Sequence, residues 1–96
     1  MGTAMTSRDV TVVNQLGLHA RAAAKFVHMA TRFQCAVRVR REGREMDGKS
    51  IMGILLLAAA RGTTLTIRTD GADEGEALEA LAALVASGFG EDPCDA

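Results

Sequence analysis

Aromatic residues are scarce in this 96-residue chain, and an excess of positive charge is absent. It contains three phenylalanines but no tyrosine and no tryptophan, so few side chains could stack on nucleic-acid bases. Its formal net charge is −1, which argues against a protein that binds nucleic acid through an excess of lysine and arginine. We therefore expect no nucleic-acid partner.

Long hydrophobic runs are also lacking. The longest, at residues 51–60, is about half the length that a membrane-spanning helix needs, and the chain begins without the basic and apolar regions of a signal peptide. The two cysteines, Cys35 and Cys94, are far apart and have no metal-binding or redox spacing. We expect free thiols, no metal site, no membrane insertion and a location in the reducing cytoplasm.

The chain has a suitable length for one domain, which we place at residues 7–92, between a flexible leader (1–6) and a polar tail (93–96). Apolar clusters and alternation predict strands at residues 8–14, 35–40, 44–46 and 63–69. Helical spacing predicts a helix from Ala20, a second from the N-cap Ser50 to residues 61–62, and a third between Asp73 and Gly88. Asp73 and Glu76 also have the spacing of a capping box.

The predicted order of elements is β-α-β-β-α-β-α. Strand 35–40 shows the typical pattern, with Cys35, Val37 and Val39 on one face and two arginines on the other. Because each strand has one polar face and each helix one apolar stripe, an antiparallel sheet with all helices on one side would bury the apolar surfaces of both. The sequence therefore predicts an α+β fold.

The segment GLHARAAAKF, at residues 17–26, places a histidine where a helix begins. Gly17 lets the chain turn, so that His19 lies at or near the N-cap, where the first backbone N–H groups have no partner within the helix. These donors and the positive end of the helix dipole form an anion site. Arg21 adds a guanidinium group that suits phosphate oxygens.

A neutral imidazole beside an anion site can act as a nucleophile toward phosphorus. This combination indicates a histidine that is phosphorylated and then discharged. The sequence has no nucleotide-binding loop, because DGKS at residues 47–50 lacks the upstream glycines of a Walker motif. We therefore expect the phosphoryl group to come from another protein. The second histidine, His28, falls in mid-helix on the flank of the apolar stripe, and we predict that it is a surface residue.

The segments GLHARAAAKF (17–26) and GKSIMGILLLAA (48–59) resemble HPr, the histidine phosphocarrier of the bacterial sugar phosphotransferase system, and its nitrogen-branch relative NPr. The resemblance extends from about residue 7 to residue 92. It implies an open-faced β-sandwich, in which a four-stranded antiparallel sheet has three helices on one face. The motifs of both branches are present, since ASGFGED (86–92) is similar to the nitrogen-branch form and GKSIMG (48–53) to the sugar-branch form.

The resemblance also implies roles for individual residues. His19 would be phosphorylated on Nδ1 by enzyme I, charged from phosphoenolpyruvate, and would pass the group to an enzyme IIA domain. Arg21 would stabilise the phosphate, and Ser50 would be the site of the HPr kinase/phosphorylase in hosts that have one. Such a protein is a monomeric carrier rather than an enzyme and needs no cofactor. One residue departs from the family pattern, because Ala22 stands where proline is usual and so provides one more free N–H.

The apolar run after Ser50 has two interpretations. It is apolar on nearly every side, so Leu56 and Leu57 could both be core residues. For the start of the run, the resemblance instead favours an exposed patch for docking partners near His19. The residues implied in docking are Ala20, Lys49, Ile51, Met52 and Leu55, with Arg21 and Lys49 at the rim.

Two other functions fit the order of elements. A ferredoxin-like βαββαβ core would permit a small ligand-binding regulatory domain, which would give His19 and Arg21 no particular role. A regulatory relative of HPr could instead act only through Ser50. The presence of His19 argues against that second alternative, because such relatives lack the histidine.

Overall fold

The computed structural model describes residues 6–91. Its strands are β1 (Thr6–Thr11), β2 (Ala36–Arg41), β3 (Arg44–Asp47) and β4 (Thr64–Asp70). Its helices are α1 (Ala20–Ala30), α2 (Ile51–Leu56) and α3 (Glu74–Ala86), and a short 3₁₀ turn follows at Gly88–Gly90. Thr6 belongs to β1 rather than to the predicted leader, and the predicted tail with Cys94 lies outside the described residues.

The four strands form one antiparallel sheet in the order β1-β4-β2-β3. The register places Val10 opposite Leu65 and Val39 opposite Ile67, so apolar side chains of neighbouring strands share one face. The three helices cover that face, which confirms the predicted α+β fold. Within residues 6–91, no helix combines the length and the apolar character needed to cross a membrane.

The core lies between the sheet and the helices. Buried side chains come from every layer, among them Val37, Val39, Leu65, Ile67, Phe26, Leu81 and Val85. Each such side chain contributes about 1.5–3 kcal/mol by leaving water. The other face of the sheet is polar, with ion pairs such as Arg68 with Glu45 (Nη1 to Oε2, 2.8 Å). Cys35 is a free, buried thiol, as predicted, and burial together with the Asp73 carboxylate raises its pKa.

The prediction for the end of α2 is wrong. The helix ends at Leu56 instead of continuing to residues 61–62, and Ala58 has a left-handed backbone conformation (φ 51°). A tertiary contact competes with continuation of the helix. The carbonyl of Ala59 accepts a hydrogen bond from the N–H of Leu18 (2.9 Å), which requires the chain to leave the helix before this residue. Leu57 is fully buried, whereas Leu56 is about half exposed.

The predicted capping box is also wrong. Asp73 is the N-cap residue of α3, but its side chain makes no capping hydrogen bond. Its carboxylate instead accepts hydrogen bonds from the backbone N–H groups of Gln34 (2.8 Å) and Cys35 (2.9 Å), and Glu76 is exposed. Asp73 therefore ties the start of α3 to the segment that leads into β2.

Candidate functional site

A tight turn at Gly17 sets the direction in which α1 begins. Its backbone is left-handed (φ 68°), and a Cβ at this position would lie 2.6 Å from the carbonyl oxygen of Ala59. Glycine avoids both the conformational cost and the clash. The next N–H, that of Leu18, can then donate to the same carbonyl oxygen at 2.9 Å. These contacts bring His19 to the start of the helix.

His19 is the N-cap residue of α1, as the sequence predicted. Its backbone is extended (φ −74°, ψ 178°), and its carbonyl accepts the first helical hydrogen bond, from the N–H of Ala23 (2.9 Å). The ring atom Nδ1 accepts a hydrogen bond from the N–H of Arg21 (3.2 Å). The N–H groups of Ala20 and Ala22 belong to the same first turn, where no acceptor is available within the helix. Nδ1 thus lies beside several backbone donors at the positive end of α1.

The other ring nitrogen faces a carboxylate that the sequence analysis missed. Nε2 of His19 lies 2.5 Å from Oε2 of Glu91. Oε1 of Glu91 accepts a hydrogen bond from Nδ2 of Asn14 (3.2 Å), which also donates to the carbonyl of Gly17 (2.8 Å). Desolvation disfavours the charged form of Glu91, but the hydrogen bonds from His19 and Asn14 and the charge of Lys25 outweigh it and lower its pKa. The carboxylate is therefore ionised at neutral pH.

The segment after α3 holds Glu91 in place. Phe89 is fully buried although its backbone is left-handed (φ 60°), a conformation that costs a non-glycine residue about 1–2 kcal/mol. Its ring anchors the segment in the core, and its carbonyl accepts a hydrogen bond from Nζ of Lys25 (2.7 Å). Core packing and a contact with α1 therefore fix the position of the carboxylate.

A small open cavity of about 270 Å³ lies over this arrangement, lined by Leu16, His19, Arg21 and Glu91. The imidazole is partly exposed, with 27% of its side-chain surface accessible. Arg21 is exposed, and within residues 6–91 its guanidinium makes no hydrogen bond or ion pair. The cavity combines a nucleophilic nitrogen with free backbone and guanidinium donors, so a phosphoryl group could be bound and transferred there. His28 is exposed on the flank of α1, as predicted.

The predicted regulatory and docking residues lie on α2 and next to it. Ser50 is the N-cap of α2, and its Oγ accepts a hydrogen bond from the N–H of Gly53 (3.0 Å). Ile51 and Met52 are 40% and 66% exposed, whereas Leu55 is half buried against the core. Helix α2 packs beside α1, which carries the exposed Ala20.

Lys49 does not lie at the rim next to His19. Its ammonium donates to the carbonyl of Phe33 (2.8 Å), and Phe33 follows the C-terminal end of α1. An eleven-residue helix is about 16 Å long, so this hydrogen bond holds Lys49 at the opposite end of α1 from His19. Of the two cations expected at the rim, Arg21 lines the cavity together with His19.

A family model described as the PTS HPr component phosphorylation site matches residues 6–87. The chain belongs to the HPr family. The resemblance noted in the sequence is thereby confirmed, and the chain is a phosphocarrier of the phosphotransferase system. Among curated relatives, the phosphocarrier protein HPr of Cupriavidus necator is 54% identical over 87 residues, covering 91% of this chain and 98% of the relative. HPr of Pseudomonas aeruginosa is 51% identical over 88 residues, with coverages of 91% and 98%.

Solved HPr structures have the same fold. HPr-C-His from Thermoanaerobacter tengcongensis superposes with a TM-score of 0.87 at 38% identity and covers 91% of this chain and 98% of its own. HPr from Bacillus anthracis gives a TM-score of 0.84 at 47% identity, with coverages of 86% and 99%. The HPr relative Crh of Bacillus subtilis, described as a domain-swapped dimer, gives 0.71 at 46% identity, with coverages of 82% and 91%.

Proposed function

We propose that His19 accepts a phosphoryl group on Nδ1 from phosphoenolpyruvate-charged enzyme I and passes it to an enzyme IIA domain, with the carrier acting as a cytoplasmic monomer. One observation carries the proposal: Nδ1 accepts a hydrogen bond from the N–H of Arg21 and therefore presents a lone pair at the start of α1. The other nitrogen, Nε2, faces the Glu91 carboxylate, whose negative charge would repel an incoming phosphoryl group, so Nδ1 is the nitrogen available for reaction.

The transfer is a nucleophilic displacement at phosphorus. The Nδ1 lone pair forms the N–P bond while the bond from phosphorus to the donor breaks, and that electron pair leaves with the donor. The phosphoryl oxygens would meet the first-turn N–H groups of α1 and the guanidinium of Arg21, which stabilise negative charge at this position. Ala22 contributes an N–H that proline would lack. The reverse displacement discharges the group onto the next protein.

The experiment combines the full-length protein with enzyme I and phosphoenolpyruvate, and then adds an enzyme IIA domain, with intact mass measured at each stage. The proposal predicts that one acid-labile phosphoryl group appears and is then lost to the IIA domain. If no adduct forms while a competent HPr control is phosphorylated in the same mixture, a regulatory or ligand-binding role without phosphotransfer replaces this proposal.

We propose that these partners dock on the exposed surface of α1 and α2. Ala20 of α1 and Ile51 and Met52 of α2 are exposed, with Leu55 at the edge. Lys49 belongs to this surface through its backbone and side-chain stem only, because its ammonium is bound to Phe33. A relay needs partners that dissociate quickly, so we expect a small interface of less than about 1,200 Å².

Replacing Ile51 by glutamate tests the docking surface. Because Ile51 is 40% exposed, Ile51→Glu should fold normally yet weaken enzyme I binding by at least about tenfold in titration calorimetry. Val13→Glu is the matched control, since Val13 is 46% exposed but lines a different groove, between β1 and α3. Equal affinities for the two variants would rule out this surface.

Ser50 is the proposed site of regulation by an HPr kinase/phosphorylase in hosts that have this enzyme. Its Oγ caps α2 through the N–H of Gly53, and a phosphate adds about −1.5 to −2 charges at neutral pH. The negative charge is tolerated at the start of a helix, so the fold should persist. The added charge would stand next to Ile51 and Met52 and repel an acidic partner surface, which would reduce transfer to His19.

A further inference from the structure

We infer that Glu91, held by Asn14, is the positioning residue that determines which ring nitrogen of His19 reacts. The inference rests on the proposed phosphorylation of His19 and adds a residue that acts through the imidazole rather than on the phosphoryl group itself. Glu91 is separated from His19 by 72 positions in the sequence, so only the fold brings its carboxylate to the histidine.

The contacts at the two ring nitrogens agree on a single neutral form of the imidazole. A carboxylate can only accept hydrogen bonds, so the 2.5 Å contact between Glu91 and Nε2 requires the proton on Nε2. The N–H of Arg21 can only donate, so its contact with Nδ1 requires a free lone pair there. The opposite tautomer would set a lone pair against the carboxylate and an N–H against another N–H. The surroundings therefore select the form whose Nδ1 is nucleophilic.

The same proton can remain in place throughout the transfer. When Nδ1 bonds to phosphorus, the ring gains a positive charge, and the Nε2–H stays directed at the ionised Glu91, which is a counter-charge for that cation. When the phosphoryl group leaves, the electron pair of the N–P bond returns to Nδ1 and the ring is again neutral with its proton on Nε2. No proton has to enter or leave the ring in either direction.

Asn14 fixes the orientation of this carboxylate. Asn14 is 6% exposed, and its amide nitrogen donates both to Oε1 of Glu91 and to the carbonyl of Gly17. It therefore joins the loop that carries His19 to the segment that carries Glu91. Because Oε1 is held by Asn14, Oε2 is the oxygen that faces the ring.

This arrangement makes Glu91→Gln informative although glutamine has nearly the same shape as glutamate. A glutamine amide has one accepting oxygen and one donating nitrogen, whereas the site needs acceptors toward both Asn14 and Nε2. If the amide nitrogen faces Asn14, two donors meet. If it faces His19, the proton has to move to Nδ1, which blocks the nucleophile. Either outcome should slow phosphorylation, roughly ten- to a hundredfold.

The test uses full-length protein carrying His28→Gln, so that His19 supplies the single imidazole signal. Nitrogen-15 NMR of the neutral ring should show the proton on Nε2 before any substitution in the site. Phosphoramidate, a small phosphoryl donor that acts without enzyme I, should then phosphorylate Nδ1 and release ammonia, with the position assigned by phosphorus-31 NMR. In Glu91→Ala and Asn14→Ala, we expect mixed tautomers, slower reaction at Nδ1 and new product at Nε2.

Glu76→Gln is the matched control, since Glu76 is exposed on α3, and it should leave the tautomer, the rate and the product unchanged. A proton on Nδ1 in the parent protein, or Glu91→Ala that still reacts only at Nδ1 and at the parent rate, would overturn the inference. The tautomer of the parent protein can overturn the inference even if a variant unfolds, because a proton on Nδ1 is incompatible with the contacts of both ring nitrogens. If enzyme I leaves His19 unmodified while phosphoramidate gives the expected products, the carrier proposal fails and the assignment of Glu91 stands.

Discussion

Gly17→Ala should destabilise the domain through two effects, and a second variant that shows only one of them allows each to be measured. The first is conformational, because an L-residue at φ 68° costs about 1–2 kcal/mol. The second is steric, because the new Cβ would lie 2.6 Å from the carbonyl oxygen of Ala59 and 3.0 Å from the Cα of Ala60. Both obstacles are backbone atoms, which cannot rotate away. Overpacking of this kind typically costs about 1–3 kcal/mol.

The two effects add to about 2–5 kcal/mol for Gly17→Ala. A domain of this size loses about 4–8 °C of melting temperature per kcal/mol, so Tm should fall by at least roughly 8 °C. Gly43→Ala isolates the conformational effect, since Gly43 also has a positive φ (86°) but no atom lies within 4 Å of the position that a Cβ would take. Replacing glycine by alanine also lowers the conformational entropy of the unfolded chain, which stabilises both variants alike, so this contribution cancels in the comparison.

Urea unfolding of both variants measures the difference directly. We expect Gly17→Ala to lose about 1–3 kcal/mol more than Gly43→Ala, and also to accept phosphate more slowly, because the loop that directs His19 has to move. Equal free energies of unfolding for the two variants would refute the argument that the approach of Gly17 to Ala59 requires glycine.

Other substitutions test the neighbouring contacts. Arg21→Ala should fold normally and accept phosphate about ten- to a hundredfold more slowly, the cost of one charge-assisted hydrogen bond; an unchanged rate would remove Arg21 from the phosphate site. Ser50→Asp should keep its melting temperature, because the helix dipole favours the charge, while phosphoryl acceptance falls and partly recovers in salt. If Ser50→Asp accepts phosphoryl groups at the parent rate, regulation through Ser50 is excluded. The backbone N–H groups of Gln34 and Cys35 lower the pKa of Asp73, so its stabilisation is complete above about pH 4 and is lost as the pH falls through the lowered pKa. On acidification, the urea midpoint of Asp73→Asn should therefore decrease less than that of the parent protein. An equal decrease would contradict the stabilising role of the Asp73 carboxylate.

The parts of the fold that depend on local pattern could be predicted from the sequence. The alternation through Cys35, Val37 and Val39 predicted β2 and its buried face, and the turn before His19 predicted the N-cap of α1. The wrong predictions concern positions whose structure depends on a residue far away in the sequence. Helix α2 ends early because Ala59 bonds to Leu18, and Asp73 binds a segment 38 and 39 positions away instead of its own helix.

The candidate site likewise contains residues that local sequence predicts and one that it does not. His19 and Arg21 are two positions apart on one helix turn, so their pattern was visible in the sequence. Glu91 is 72 positions from His19, and the segment around it, ASGFGED, indicates only a similarity to the nitrogen-branch form. One signal was present, since glycines on both sides of Phe89 permit a sharp change of direction after α3. Without the burial of Phe89, however, nothing indicated where the carboxylate would lie.

The central claim is that His19, rather than any other residue, carries the phosphoryl group. Enzyme I and phosphoenolpyruvate should be mixed separately with the parent protein, His19→Ala and His28→Ala, and intact mass recorded before and after acid treatment. We predict one acid-labile phosphoryl group on the parent and on His28→Ala, and none on His19→Ala, with all three proteins folded by circular dichroism. A phosphoryl group on folded His19→Ala, or its loss from His28→Ala, would contradict the assignment of His19.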